Sequence, residues 1–178
     1  MSTSNAGTLD KMYPVYHDPS TRQFEEPLVV TGASWGHISY YNATGTAISV
    51  TQNTPVEINP TVTLHTSSIN FDSSAAGRLR YTGARTRDFL VTVTVSGVSE
   101  DAAGTYNDYK LELYKSGSAN DPVKAIWTTS IEGNAVEGTF HAIMSLATNQ
   151  YVSLFTTNST DNDDLTVKVL AITAQSLN

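Results

Sequence analysis

Between residues 89 and 96, Phe89, Val91, Val93 and Val95 alternate with Leu90, Thr92, Thr94 and Ser96. A period of two over eight residues is the signature of a β-strand, here with an apolar row on one face and a hydroxyl-rich row on the other. Tyr109, Leu111 and Leu113 alternate with Lys110, Glu112 and Tyr114 in the same way. The pattern predicts further strands over 37–41, 46–51, 62–65, 78–81, 123–129, 138–144, 151–156 and 165–173. Turn formers fall between them, at 42–45, Gly83, 116–118 and 158–164. Thr and Val, which pack well on a pleated surface, are abundant. No stretch of ten or more residues carries a helical period, and no internal repeat points to a propeller or solenoid. About ten short strands at this spacing mean an all-β, antiparallel sandwich or barrel.

Two segments depart from the alternation. In the last predicted strand Leu165, Val167, Val169 and Ala171 face one way, while Leu170, Ile172 and Ala174 face the other. A strand apolar on both faces is covered on both, which makes Leu170 and Ile172 the candidate oligomer contact. Residues 1–33 hold three of the six prolines, Pro14, Pro19 and Pro27, and show no period. Proline fixes φ and keeps its predecessor extended, so this segment reads as an extended N-terminal arm preceding a domain at 34–178. Met12, Tyr13, Tyr16 and Phe24 are large apolar groups on a segment without its own core, and such groups need a partner surface. They are the candidate anchoring residues.

Composition narrows the chemistry. The 178 residues carry a net charge of −7, only 15% are charged, and 44 are Ser or Thr. With 39% hydrophobic residues the chain can build a core. The absence of Cys excludes disulfides, thiolate nucleophiles and Cys-ligated zinc. No apolar run approaches the ~20 residues a membrane span needs. The polar start Met1-Ser-Thr-Ser-Asn lacks the layout of a signal peptide, so a product made in a cytoplasm, without a membrane partner, is expected. Surplus acid disfavours nucleic acid, and the arm itself sums to −2.

Gly32-Ala33-Ser34-Trp35-Gly36 fits G-x-S-x-G, yet that nucleophile elbow needs a following helix, and 37–41 reads as a strand. His17, His37, His65 and His141 show no metal-ligand spacing. No catalytic set assembles, so neither an enzyme nor a cofactor is expected. Asp161-Asn162-Asp163-Asp164 offers oxygen ligands but lacks the glycine and closing glutamate of a calcium loop, and reads as a solvated turn. Arg78, Arg80, Arg85 and Arg87 cluster around Thr82-Gly83-Ala84, where local or inter-subunit carboxylates are the expected partners. Trp35, Tyr40, Tyr41 and Trp127 could form a sugar-stacking platform, or serve the core. Asn42-Ala43-Thr44 and Asn158-Ser159-Thr160 fit the glycosylation pattern, which matters only in a secretory pathway.

The run Gly77-Arg78-Leu79-Arg80-Tyr81-Thr82-Gly83, followed by Arg87-Asp88-Phe89-Leu90-Val91-Thr92-Val93-Thr94-Val95-Ser96, resembles jelly-roll domains in structural proteins of tailed bacteriophages and some large viruses. Residues 109–117 and 149–154 resemble later strands of that group. The pattern, over about residues 36–175, is similar to the tumour necrosis factor and complement globular-head superfamily, although the final strand lacks the Phe-x-Gly-x-Leu ending of the complement type. The resemblance implies an antiparallel jelly-roll sandwich that trimerises and binds, with no catalytic residues. The expectation is therefore a virion structural protein: a homotrimer decorating or cementing the capsid, with its arm on capsid or other virion proteins. The alternative is a receptor-binding or fibre-tip module whose loops 42–45, 101–107 and 158–164 meet a host glycan.

Overall fold

Alternation of Phe89, Val91, Val93 and Val95 with polar residues does what the period dictates, turning the first set inward to complete burial. The structure is a computed structural model that describes residues 33–100, 106–118, 122–130 and 135–177. Among these residues eleven strands form: β1 Trp35–Ile48, β2 Val56–Glu57, β3 Thr63–Leu64, β4 Phe71–Asp72, β5 Leu79–Tyr81, β6 Arg87–Ser99, β7 Asn107–Lys115, β8 Lys124–Ser130, β9 Ala135–Leu146, β10 Tyr151–Asn158 and β11 Leu165–Ser176. No described helix is long and apolar enough to cross a membrane.

The strands make two antiparallel sheets. One has five strands in the order β3-β1-β11-β6-β9; the other runs β4-β5-β10-β7-β8, with β2 paired to β10. β4-β5 and β7-β8 are neighbours in sequence, but most spatial neighbours are far apart in the chain, as β1 beside β11 shows, so the sheets close mainly through crossovers. This is an antiparallel jelly-roll sandwich. Its core lies between the sheets, where Ile38, Val93, Leu170 and Ile172 from one face Leu79, Leu111, Leu113 and Leu154 from the other. Phe71, Tyr81 and Phe89 close one end as an aromatic cluster with centroids 5.0–5.3 Å apart.

Three expectations change. Residues 42–45 are not a turn between two strands but part of β1, where the register against β11 shifts between Tyr41 and Thr46. Asn42 Oδ1 accepts the Thr44 N–H there, and Gly45 sits at φ 86°. The short strands β2 and β4 went unread, because two residues carry no period.

The third change concerns the last strand. A bulge between Val167 and Val169 shifts the β11 register against β6. It exchanges inward and outward phases, so Leu165 and Val167 before it and Leu170, Ile172 and Ala174 after it all point into the same core. The strand is one-faced, and Leu170 and Ile172 are wholly buried within their own chain and offer nothing to a partner. Gly97, opposite the bulge, is where the backbones come closest: a Cβ there would lie 2.5 Å from the Thr166 carbonyl oxygen. The strand buried on both sides is instead β10, from Val152 to Asn158.

Candidate interaction surface

Four strands of the five-stranded sheet, β1, β11, β6 and β9, turn alternate residues away from the core, and the register lines them up in four rows. Tyr41, Val169, Ser96 and Glu137 form one; Ser39, Ala171, Thr94 and Thr139 the next; then His37, Thr173, Thr92 and His141; then Trp35, Gln175, Leu90 and Ile143. None of the sixteen is buried, and Glu137 is the sole formal charge among them. Tyr41 is 78% exposed and Ile143 66%, two of the large apolar side chains that the fold leaves on its surface. Thr139 Oγ1 donates to Thr94 Oγ1 at 3.2 Å, beside a shallow depression of about 470 Å³ lined by Thr94, Ser96, Glu137, Gly138 and Thr139.

Three of the chain's four histidines stand on this face. His65 follows β3, and its N–H donates to the His37 carbonyl at 2.8 Å. The two imidazoles lie 6.2 Å apart, and Trp35 stacks on His37 at 6.2 Å and meets His65 edge-on at 5.4 Å. His37 Nδ1 is 2.8 Å from Thr173 Oγ1. Partial burial, and next the nearby His65, push the His37 pKa below its ordinary value. Sequence reading treated these histidines singly. The available signal was their phase, since His37 and His141 both occupy the outward positions of their strands; that they share a row becomes visible only with the strand order.

The other candidates disperse. Ser34 is fully buried, its Oγ accepting from Asn70 Nδ2 at 3.0 Å and its N–H donating to Ser176 Oγ, and a strand follows it. Asp161 to Asp164 are consumed by their own loop: Asp161 Oδ1 accepts from Asn158 and from the Asp163 N–H, Asp164 from Val50 N–H and Ser49, and Asn162 from Gln52 N–H. The Tyr109 hydroxyl secures this loop through the carbonyls of Asp163 and Asp164, and burial raises its pKa to about 12. No group of three or more described acidic or histidine side chains is placed to hold a metal.

Two of the arginines find local carboxylates. Arg78 makes a two-pronged bond to Glu57 at 2.7 and 2.6 Å and lies over the Tyr151 ring, and Arg80 grips Asp72 at 2.9 and 2.6 Å. These bonds raise both guanidinium pKa values. The four aromatics form no platform. Tyr40 packs on the core with its hydroxyl 2.7 Å from Thr46 Oγ1, Tyr41 points the opposite way, and Trp127 lies on the other sheet with Lys110 Nζ 5.8 Å from its ring. The expected arm, with Met12, Tyr13, Tyr16 and Phe24, and most of loop 101–107 lie outside the described residues.

Among the described residues the fold and this face define an all-β jelly-roll domain with a broad, weakly charged surface. No protein-family model matches the chain, and no curated protein sequence matches it. Solved structures do. Murine APRIL, crystallised at pH 8.5, superposes with a TM-score of 0.51 at 10% identity, over 82% of this chain and 100% of that one. Eiger TNF from S. frugiperda gives 0.49 at 12% identity over 82% and 93%, and PRD1 vertex protein P5 gives 0.47 at 16% over 81% and 96%. The APRIL superposition agrees with the jelly-roll fold that the sequence pattern led to expect. At such identities the likeness is one of fold.

Proposed function

We propose that the chain is a virion structural protein, a capsid decoration or cement protein that binds the outer capsid surface as a homotrimer. The observation that carries this reading is the exposed outward face of the five-stranded sheet, with one charge in sixteen positions on a chain of net charge −7. Protein interfaces are depleted of charge at their centre and enriched in aromatics, and Trp35 and Tyr41 stand among the hydroxyls here. A flat face of this kind suits association with protein, and its lack of basic residues does not suit nucleic acid. The resemblance to virion jelly rolls supplies the setting, and residues 1–33 the capsid anchor.

The test is antibody labelling of purified virus particles, with native mass measured in parallel by light scattering. Label over the outer shell and a species near three times 19.2 kDa is the expected result. Unlabelled particles overturn the virion reading, label confined to a tail tip transfers it to a receptor-binding module, and a monomer overturns the trimer.

A further inference from the structure

We propose that His37 and His65 form a binding site for a divalent transition-metal ion such as zinc, built by a single chain at the β3 edge of the five-stranded sheet. The site goes beyond the virion reading and needs no second copy.

The register brings together two residues that the sequence holds apart. Ile38 pairs with Leu64 and Ser39 with Thr63, so one further step along both strands sets His37 opposite His65. The His65 N–H, donating to the His37 carbonyl at 2.8 Å, fixes that step. Directly opposed residues of an antiparallel pair hold their Cβ atoms about 5 Å apart on the same side of the sheet. The turn beyond is tied down as well. Ser68 N–H donates to the His65 carbonyl at 3.0 Å, and Ser68 Oγ accepts the His37 N–H at 3.3 Å.

The spacing of the rings suits a shared ion. With a metal–nitrogen bond of about 2.0 Å, an imidazole centre lies ~3.2 Å from the ion it binds. Two such rings stand roughly 5.2 Å apart at a tetrahedral angle, and about 6.4 Å apart when opposed across the ion. The observed 6.2 Å falls inside that span. Trp35 walls one side, stacked on His37 at 6.2 Å and edge-on to His65 at 5.4 Å, which limits how far either ring can swing away.

Hydrogen bonds select the ligating nitrogen. His37 Nδ1 lies 2.8 Å from Thr173 Oγ1, and His65 Nδ1 lies 2.9 Å from Ser67 Oγ. An Nδ1–H that donates to a hydroxyl leaves Nε2 with its lone pair, and outer partners of this kind orient metal-binding histidines. The Ser67 N–H also approaches His65 Nδ1, at 3.3 Å. An ion on Nε2 would exchange that contact for donation from Nδ1–H to the Ser67 hydroxyl.

Ligand chemistry names the class of ion. Among the described residues no acidic side chain joins the pair to make a third protein ligand. Two imidazoles suit zinc, copper or nickel, and not calcium or magnesium, which take oxygen. Water fills the remaining positions, so the ion is exchangeable. His141 shares the row but stands three strands away, about 14 Å off and out of reach. An ion held here clips β3, a strand of two residues, to β1, and binding to the folded state alone stabilises it.

The experiment is calorimetric titration of zinc chloride into the full chain at pH 7.5, after dialysis against a chelator. The expected result is one ion per chain at micromolar affinity, with a melting temperature that rises with zinc. His37→Gln and His65→Gln should each weaken binding about tenfold or more at unchanged circular dichroism, and Thr173→Val about tenfold, through lost orientation of His37. The variant H17Q/H141Q should bind as the parent does. In Trp127→Phe, where Trp35 is the remaining tryptophan, nickel should quench fluorescence, and adding His65→Gln should abolish the quenching. Zinc binding that survives in H37Q/H65Q, or vanishes in H17Q/H141Q, overturns the site. So does a parent that shows neither heat nor quenching at millimolar metal. Calcium that displaces zinc at equal concentration overturns the class of ion.

Discussion

The two sheets turn chemically opposite sides away from the shared core. On the five-stranded sheet the sixteen side chains of the four rows are exposed or half-buried, and Glu137 is their sole formal charge. On the six-stranded sheet Lys110, Glu112 and Tyr114 from β7 stand beside Thr157, Phe155 and Ser153 from β10, and all of these but Lys110 are buried. Glu112 is only 3% exposed, with Lys110 Nζ at 2.6 Å and Thr157 Oγ1 at 3.3 Å, and the Tyr114 and Phe155 rings lie 4.3 Å apart. Burial, and then the charge of Glu112, raise the Tyr114 pKa. Both sides look alike as alternating polar positions in the sequence. What separates them is that one sequesters charge and pairs it, while on the other His37 and His65 meet hydroxyls, those of Thr173 and Ser67, among the described residues. The first arrangement fixes structure; the second leaves free energy to be gained from a partner.

The comparison breaks most visibly at Lys110. Lys110→Met leaves the Glu112 carboxylate buried beside one hydroxyl, and removing one partner of a buried pair costs about 3 kcal/mol. Glu112→Gln, which frees the 30%-exposed ammonium to turn to solvent, should cost about 1 kcal/mol. Urea unfolding midpoints at constant slope measure both. Equal costs would show that the carboxylate is solvated and that the two sides differ less than described. Thr94→Val on the other side should stay within ~0.5 kcal/mol.

Next in size is the bulge that gives the five-stranded sheet a single inward face. Gly97→Ala forces a methyl group against the Thr166 carbonyl at 2.5 Å, an overpacking expected to cost about 2 kcal/mol in thermal or urea unfolding. A neutral result would mean that the bulge relaxes freely and does not hold the phase of β11.

That bulge also marks the limit of what could be read from sequence. Strand identity followed from period two, and the long strands β6, β7, β9 and β10 were legible for that reason. A bulge inserts one residue and inverts the period, so β11 looked apolar on both sides when it is apolar on one. Leu170 and Ile172 were assigned to a partner for want of that single residue. The signal was present in Gly45 and Gly97 on the flanking strands, but their proximity to Thr166 and Val167 exists only once the register is known. The double burial of β10 was hidden for a related reason: Ser153, Thr156 and Thr157 are polar, and sequence reading sends such residues to solvent. The histidine row needed the strand order of four strands, which no local pattern contains.

A smaller test concerns the guanidinium pairs at the β4–β5 edge. Arg80 and Asp72 are each about one-third exposed, so Arg80→Ala should leave stability nearly unchanged despite the two-pronged bond. Arg78 pairs with a Glu57 that is only 16% exposed and also covers Tyr151, so Arg78→Ala should cost about 1 kcal/mol. The ratio of the two, from chemical unfolding, reads how far burial strengthens a surface pair. A ratio of one would place both in solvent.

The finest distinction is the pH response of His37 in the folded monomer. Its pKa is lowered by burial and then by His65, so the native state binds a proton less readily than the unfolded chain, whose histidines titrate near 6.5. Stability therefore rises with pH through this window. The contribution is fully present above the unfolded value and declines as pH falls from about 6.5 toward the folded pKa, below which nothing further is lost to this group. His65→Gln removes the second cause and should narrow the window without closing it, because desolvation of His37 remains. Melting temperatures at closely spaced pH values between 5 and 8, repeated at two protein concentrations, separate this contribution from association. A monomer whose stability is flat across that range would mean that His37 is solvated like His141, and would make the two ends of the row equivalent.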